Sequence, residues 1–341
     1  MQHKANPDWG NQSTSMEFIL LGFRNLPELQ IFLFLLFLMI YIVTMAGNIL
    51  IIVLVVADQH LHTHMYFFLG NLSCLETCYS STILPRMLVS LLTGDRTISV
   101  AGCIVQLYFF GFLVCTECYL LAVMSYDRYL AICKPLRYAA LMNSRLCFQL
   151  AAGSWLSAVL PISIITVFIS PSTFCGPNQI DHFFCDFTPV IKLSCSDTRL
   201  IQLLAFILSS VDILPPFLLT VTSYVHIITT VLKIPSTTRR QKTFSTCSSH
   251  LIVVTSFYGT LMIVYILPKH NLLGDLHKVF AVFYTVLPPL VNPLIYSLRN
   301  KEVKQALRKT ARKFLAFRRI QRIQPNLFRI NKQEIVHTDG H

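Results

Sequence analysis

The sequence predicts an all-α membrane protein built as a bundle of seven membrane-spanning helices. Of its 341 residues, 54% are hydrophobic and 13% are charged, whereas an average soluble domain has roughly 25% charged residues. A helix needs about 20 mostly apolar residues to cross the hydrocarbon core of a bilayer. Seven stretches meet that length, and we number them as spans one to seven: 30–56, 65–92, 102–132, 147–169, 200–232, 244–267 and 277–298.

The basic residues between the spans predict the orientation of the chain. The loops after the third and fifth spans are basic, and the segment from Arg299 holds 12 Lys/Arg against 3 Asp/Glu. Because loops rich in Lys and Arg stay in the cytosol, the C-terminus is expected there and the N-terminus outside. The net charge of +12 then reflects topology and attraction to anionic membrane lipid. A nucleic-acid partner is not indicated, since no basic patch has a folded soluble domain behind it.

Three parts follow along the chain. Residues 1–29 form an extracellular arm, 30–298 form the seven-span domain, and 299–341 form a basic cytoplasmic tail with a short amphipathic juxtamembrane helix. No cleaved signal peptide is recognisable, so the first span is expected to be its own insertion signal. The halves show no repeat symmetry, which argues against a secondary transporter. The spans contain no nucleophile–base or metal-ligand cluster, which argues against an enzyme.

Four cysteines fall on the predicted outer side, an even number in an oxidising compartment. They are Cys103, Cys175, Cys185 and Cys195, and three pairings are open to them. Since Cys103 begins the third span, a bridge from it to the middle of the 170–199 loop would hold that loop over the bundle. Asn11 begins an Asn-Gln-Ser sequon on the same side, so we expect glycosylation there.

Two acids lie deep in the predicted membrane region, Glu76 in the second span and Glu117 in the third. A carboxylate at that depth costs a few kcal/mol unless it finds a partner, an ion or a proton. One interpretation is that both share a sodium ion or a proton. The alternative is that each hydrogen-bonds to nearby polar groups such as Asn48 or Ser73. Apart from that sodium ion, no cofactor is expected.

Other polar motifs cluster toward the cytosolic side. Asp127-Arg128-Tyr129 lies near the end of the third span, roughly 16 Å of helix rise beyond Glu117. Asn292-Pro293 predicts a kink, because proline lacks a donor and clashes with the preceding turn. The kink either is static or lets Tyr296 move. His250, in a polar start to the sixth span, titrates near neutral pH if it is accessible.

In order and at membrane-compatible spacing, these motifs resemble the vertebrate odorant receptors, a rhodopsin-like family of G-protein-coupled receptors. The likeness runs from about Phe18 to about Leu307. Its segments are Gly47-Asn48, 61–69, 124–133, Ser223-Tyr224, 242–250 and 289–300. The resemblance implies a plasma-membrane receptor that binds a small volatile odorant and activates a stimulatory, olfactory-type G protein on the cytoplasmic face, which raises cAMP. A rhodopsin-like receptor for another small molecule is the alternative, and the motifs of the second and sixth spans argue against it.

The resemblance also assigns residues. It implies the bridges Cys103–Cys185 and Cys175–Cys195. It implies a G-protein switch of Asp127, Arg128, Tyr129, Tyr224, His250, Asn292, Pro293 and Tyr296. It implies an odorant pocket lined by Phe110, Gly111, Val114, Cys115, Ser209, Asp212, Ile213, Tyr258, Leu261, Met262, Tyr265 and Thr285.

Asp212 is unusual in this set, because it is an acid in an otherwise apolar span. If it is ionised, it favours ligands with an amine or another strong donor. If it is protonated, it is a neutral donor suited to carbonyls or alcohols. The third alternative is a buried acid bonded to a neighbouring serine or a backbone carbonyl.

Overall fold

The structure, a computed structural model, describes residues 17–23, 27–175, 177–266, 274–298, 303–310 and 312. Asn11 and the tail beyond 312 lie outside the described residues. The helices of the described part are α1 Gln30–Ala57, α2 His64–Thr93, α3 Val100–Cys133, α4 Pro135–Leu141, α5 Ser144–Ser157, α6 Val159–Ile169, α7 Phe187–Ile191, α8 Arg199–Leu232, α9 Thr237–Leu261, α10 Gly274–Thr285, α11 Leu287–Leu298 and α12, residues 303–310.

These helices build the seven expected spans. Spans one, two, three and five are the single helices α1, α2, α3 and α8, whereas span four joins α5 to α6 and span seven joins α10 to α11. Span six is α9 followed by a π-helical turn, Met262–Ile266. The predicted ends agree with the helix ends to within a few residues, except at the sixth span, where α9 begins at Thr237, seven residues before the predicted start.

Five of the described helical segments are long and apolar enough by themselves to cross a membrane. Spans two and six are the exceptions. In span six the apolar part is restricted to His250–Ile266, because the helix begins with polar residues. Helix α2 is long enough but carries polar residues such as Ser73, Glu76 and Ser80, and it buries them inside the bundle. In α2, neighbouring helices rather than lipid therefore surround the buried polar residues.

Prolines explain the two interruptions inside spans. Span four breaks at Ala158, three residues before Pro161, and span seven breaks at Val286, just before Pro288 and Pro289. Proline removes a helical hydrogen bond and its ring clashes with the preceding turn. The kink predicted at Asn292-Pro293 is separate from these breaks, and α11 includes Pro293 as a helical residue.

Helix α3 is the axis of the bundle, packing along α2 on one side and α8 on the other, while α1 packs along α2. Its buried residues extend from Cys103 to Leu130. At its centre the rings of Tyr79, Phe110 and Tyr284 pack together, with centroids 5.6 Å and 6.1 Å from Phe110. Side chains from spans two, three and seven thus meet in one core.

Three short strands add a small sheet to the predicted all-α fold. The central strand β1 (Glu17–Leu20) pairs antiparallel with β2 (Thr97–Ser99) and parallel with β3 (Gln179–Ile180). Phe18 and Leu20 are buried while their neighbours face outward, so the sheet covers one end of the bundle. We call this the strand end, and we call the end with α4 and α12 the α4 end.

Both cysteine bridges lie at the strand end. Cys103 is bonded to Cys185, and Cys175 to Cys195. The first bridge joins the start of α3 to the loop between α6 and α8. The backbone N–H of Cys185 also donates to the Gln106 side-chain oxygen at 3.0 Å. The loop is therefore fixed over α3 by one covalent bond and one hydrogen bond.

Helix α12 docks on the first span at the α4 end. Its Val303 and Ala306 are buried against α1 and α2, while Lys304 and Arg308 are exposed, which is an amphipathic pattern. The Lys309 ammonium donates to the Asp58 carboxylate at 3.2 Å. That bond holds the pKa of Asp58 below its usual value.

Gly47→Ala should destabilise the protein, because a Cβ at Gly47 would lie 2.9 Å from the Cβ of Pro293 in α11. Inserting a methyl group into a packed contact typically costs about 1–3 kcal/mol. We expect a lower Tm for the detergent-purified variant. The matched control is Gly153→Ala in α5, where a Cβ meets nothing within 4 Å and alanine favours the helix by about 0.5–1 kcal/mol. Equal Tm shifts in both variants would contradict the close approach.

Cys103→Ser should destabilise the protein by about 2–5 kcal/mol, the usual effect of losing a native bridge. Thermal unfolding measures this, and Cys74→Ser is the control because Cys74 is an exposed free cysteine. Peptide mapping without reduction tests the pairing itself. Cys103 found linked to Cys175 or Cys195 would overturn it.

Candidate functional site

A cavity of about 80 Å³ lies below the strand end, between α3, α6, α8 and the 170–198 loop. A single water needs about 10–15 Å³, so the space accommodates a small organic molecule. The lining is mainly apolar and consists of Leu107, Phe110, Gly111, Val114, Cys115, Cys118, Pro161, Ile162, Ile165, Asp186, Phe187, Ala205, Ser209, Asp212, Ile213 and Tyr265. An enclosed apolar space with a few polar groups is typical of small-ligand sites.

Eight of the twelve predicted pocket residues line this cavity: Phe110, Gly111, Val114, Cys115, Ser209, Asp212, Ile213 and Tyr265. The structure places the other four outside the lining. Tyr258 is buried and its hydroxyl donates to the Cys118 carbonyl at 2.6 Å, while Thr285 donates to the Ala281 carbonyl at 2.6 Å. Leu261 and Met262 pack in the hydrophobic core.

Sequence reasoning missed eight lining residues. Ala205 lies one helical turn before the predicted Ser209 on α8, so helical periodicity could have found it. Leu107 and Cys118 follow the same helical period as Phe110 and Val114, so periodicity along α3 could have found them. Pro161, Ile162 and Ile165 come from α6, whose apolar residues are spread around most of the helix and therefore do not indicate which face lines a cavity. Asp186 and Phe187 follow Cys185 directly, and a bridge that fixes this loop over α3 was the available signal.

Asp212 faces α3. Its carboxylate accepts a hydrogen bond from the Tyr119 hydroxyl at 2.9 Å and a weaker one from the Cys115 thiol at 3.6 Å. Only 5% of the residue is exposed, and α8 continues unbroken through Pro215 and Pro216 just beyond it. The carboxylate is thus bonded across the bundle, whereas a bond to a neighbouring serine or backbone carbonyl was the local alternative.

Asp186 forms the roof of the cavity on the strand-end side. One of its oxygens accepts from the Phe187 backbone N–H at 2.7 Å, which begins α7, and from the Tyr265 hydroxyl at 2.8 Å. The Tyr265 and Tyr284 hydroxyls lie 3.2 Å apart, and the Tyr284 carbonyl accepts from Tyr79 at 3.3 Å. The loop is therefore connected by hydrogen bonds to spans six, seven and two.

The Asp127-Arg128-Tyr129 motif lies at the α4 end of α3. Asp127 is buried and accepts from the Tyr138 hydroxyl of α4 at 2.9 Å. Within the described ranges, Arg128 makes no ion pair with any carboxylate. The Tyr129 ring packs near the His226 ring of α8, with centroids 5.6 Å apart. The arginine is thus available to another partner, while its neighbouring acid is held by α4.

Tyr224 and His250 are hydrogen-bonded to each other through the tyrosine hydroxyl and the imidazole Nδ1. The bond joins α8 to α9. His250 is 4% exposed. The expected pH response required an accessible ring, and that condition is not met.

The deep acids lie where spans one, two, three and seven meet. The Asn292 amide donates to one Glu76 oxygen, and the Asn48 amide donates to the Thr44 and Pro289 carbonyls at 3.1 Å each. Glu117 of span three is also fully buried. Pro293 contacts the Gly47 backbone, whereas the Tyr296 side chain lies outside the described residues.

A family model described as olfactory receptor matches residues 37–313, which is most of the chain. The chain belongs to the olfactory receptor family. Human olfactory receptor 11L1 is 50% identical over 303 residues, covering 89% of this chain and 94% of that protein. Human olfactory receptor 6N1 is 49% identical over 302 residues, covering 89% and 97%. Mouse olfactory receptor 6E1 is 47% identical over 308 residues, covering 90% and 98%.

Family membership confirms the resemblance and the predicted seven-span fold. This receptor is a multi-pass plasma-membrane protein, and it is an odorant receptor rather than an enzyme. Odorant binding and coupling to a G protein follow from the family in general terms.

Proposed function

We propose that the receptor binds a small volatile odorant in the cavity between α3, α6 and α8, and that binding activates a stimulatory, olfactory-type G protein and raises cAMP. The observation that carries the proposal is the course of α3. The same helix lines the cavity from Leu107 to Cys118 and presents Arg128 at the α4 end. A shift of α3 on ligand binding would therefore reach the G-protein side directly.

The proposed orientation has the strand end outside and the α4 end in the cytosol. Both bridges lie at the strand end, and disulfides persist in oxidising compartments. Glycosylation of Asn11 would be on the same side. The basic loops and tail then face the cytosolic leaflet, whose anionic lipids attract Lys and Arg.

Contacts between α3 and α8 give a physical route between the two ends. Near the cavity, Tyr119 and Cys115 of α3 bond Asp212 of α8. Near the α4 end, the Cys133 thiol lies 3.5 Å from the His226 carbonyl and 3.3 Å from the Thr230 hydroxyl. Small shifts of packed helices at one site are a common means of switching another. A ligand that moves α8 against α3 would change both sets of contacts.

Replacing Arg128 by Ala should abolish odorant-induced cAMP, because the guanidinium would be lost from the proposed G-protein side. A cAMP reporter in transfected cells measures the response, and antibody labelling measures receptor at the surface. The control is Arg199→Ala, an arginine of the strand end with a 90% exposed side chain. We expect normal surface levels for both variants and a normal response for the control. Normal signalling by the Arg128 variant would overturn the assignment.

We also propose that Glu76, Glu117 and Asn48 form a site for a shared sodium ion or proton. Several buried oxygens there have no hydrogen-bond partner among the described residues: Thr44 Oγ1, Asn48 Oδ1, Glu76 Oε2, Asn292 Oδ1 and both carboxyl oxygens of Glu117. Carboxylate, amide and hydroxyl oxygens suit a hard cation. A proton on either acid would instead supply the missing donor and remove the repulsion between the charges.

Replacing sodium chloride by choline chloride at equal ionic strength should lower the Tm of the purified receptor if sodium binds. At ten times its Kd the ion contributes about 1.4 kcal/mol. Glu76→Gln should remove the sodium effect, whereas Asp95→Asn in an exposed loop should retain it. A wild type indifferent to sodium, with Glu76→Gln at least as stable, would favour the shared proton. A destabilised Glu76→Gln without any sodium effect would reject both.

A further inference from the structure

The charged side chains around the cavity are all of one sign. Of the described residues that line it, Asp186 and Asp212 are acids, and none is Lys, Arg or His. Asp186 has a structural role, because its carboxylate caps the start of α7 and accepts a hydrogen bond from the Tyr265 hydroxyl. Asp212 begins no helix and fixes no loop. Its bond to Tyr119 joins α8 to α3, but one such bond does not use the whole carboxyl group.

Asp212 retains unused capacity to accept hydrogen bonds. An ionised carboxylate offers about four acceptor positions. The Tyr119 hydroxyl occupies one, and the Cys115 thiol at 3.6 Å is a weak donor to the other oxygen. In the described part of the chain no Lys, Arg or His forms an ion pair with Asp212. A buried carboxylate without a cation is costly, and a cationic ligand would remove that cost.

We infer that the odorants of this receptor carry an aliphatic ammonium group that pairs with Asp212. The inference rests on the proposed function, since it names the chemical class that the same cavity accepts. An ammonium has three donors, so it can bond the free Asp212 positions while Tyr119 keeps its own bond. The second acid, Asp186, adds negative potential to the same space and disfavours anionic ligands.

The rest of the cavity determines the size and character of the amine. Val114, Ile162 and Ile165 offer apolar contact to an alkyl chain. The volume of about 80 Å³ limits the ligand to a few heavy atoms. A short-chain primary amine of the size of butylamine satisfies both conditions.

Matched ligands test the inference without altering the protein. Butylamine, butanol and butyric acid share a similar chain length but present a cation, a neutral hydroxyl and an anion. In the cAMP reporter assay we expect butylamine to be at least roughly 30-fold more potent than butanol. That ratio corresponds to about 2 kcal/mol, the lower range for a buried charge pair. Butyric acid should give no response.

Asp212→Asn keeps the size of the side chain and an acceptor for Tyr119, but it removes the charge. It should lower butylamine potency at least roughly 30-fold and leave butanol potency unchanged or improved. The control is Asp197→Asn, whose side chain is 61% exposed and paired with Arg199 at the strand end. It should change neither ligand. A merely structural role for Asp212 would weaken all ligands together or lower surface expression.

The outcomes separate this inference from the proposed function. Strong responses to alcohols or acids without a preference for amines would overturn the inference and leave the odorant-receptor function intact. An amine response that Asp212→Asn does not weaken relative to butanol would also overturn it. If surface-expressed receptor raises cAMP with no compound of a broad volatile panel, both proposals fail together.

Discussion

Polar groups inside an apolar bundle have no water to bond, and this constraint orders the packing around α3. Each such group must find a protein partner, an ion or a proton. Tyr119 bonds Asp212 of α8, Tyr258 of span six bonds the Cys118 carbonyl, and Tyr138 of α4 bonds Asp127. Each bond fixes a neighbouring helix at one height along α3. The polar residues therefore fix the position of each neighbouring helix along α3. Apolar surfaces alone would allow several packings.

The same constraint bears on the proposed function, whose cavity and Arg128 both lie along this helix. Hydrogen bonds that hold α8 and α4 against α3 are directional, so they respond to a small displacement more sharply than apolar contacts do. One set lies beside the cavity at Tyr119 and another beside Arg128 at Asp127, roughly 12 Å apart along the helix axis. Because α3 is a single uninterrupted helix between them, it transmits a displacement with little bending. A receptor needs this combination of a ligand space and a distant switch on one rigid element.

At the strand end, the groups that need hydrogen-bond partners belong to the backbone rather than to side chains. The segment from Glu17 to Leu20 forms the middle of a sheet whose other strands come from distant loops. Its buried Phe18 packs edge-on against Phe174, with ring centroids 5.1 Å apart. Together with the Cys103–Cys185 bridge, these contacts close the bundle above Asp186. The layer that covers the bundle at the strand end is thus assembled from three segments far apart in sequence.

The sequence alone determined the seven spans and the amphipathic helix α12, because helix length and apolar pattern are local properties of a chain. The predicted pocket residues came from the family resemblance, and the prolines that interrupt spans four and seven were not singled out by the sequence. Only the tertiary structure decided that Ile162 and Ile165 line the cavity, that β1 joins two distant loops, and that His250 is buried against Tyr224. Those features depend on which helices become neighbours, and an evenly apolar helix or a lone histidine carries no local sign of its partner. Asp212 illustrates the difference. The sequence showed an acid in an apolar span, but only the tertiary structure showed that its carboxylate bonds Tyr119.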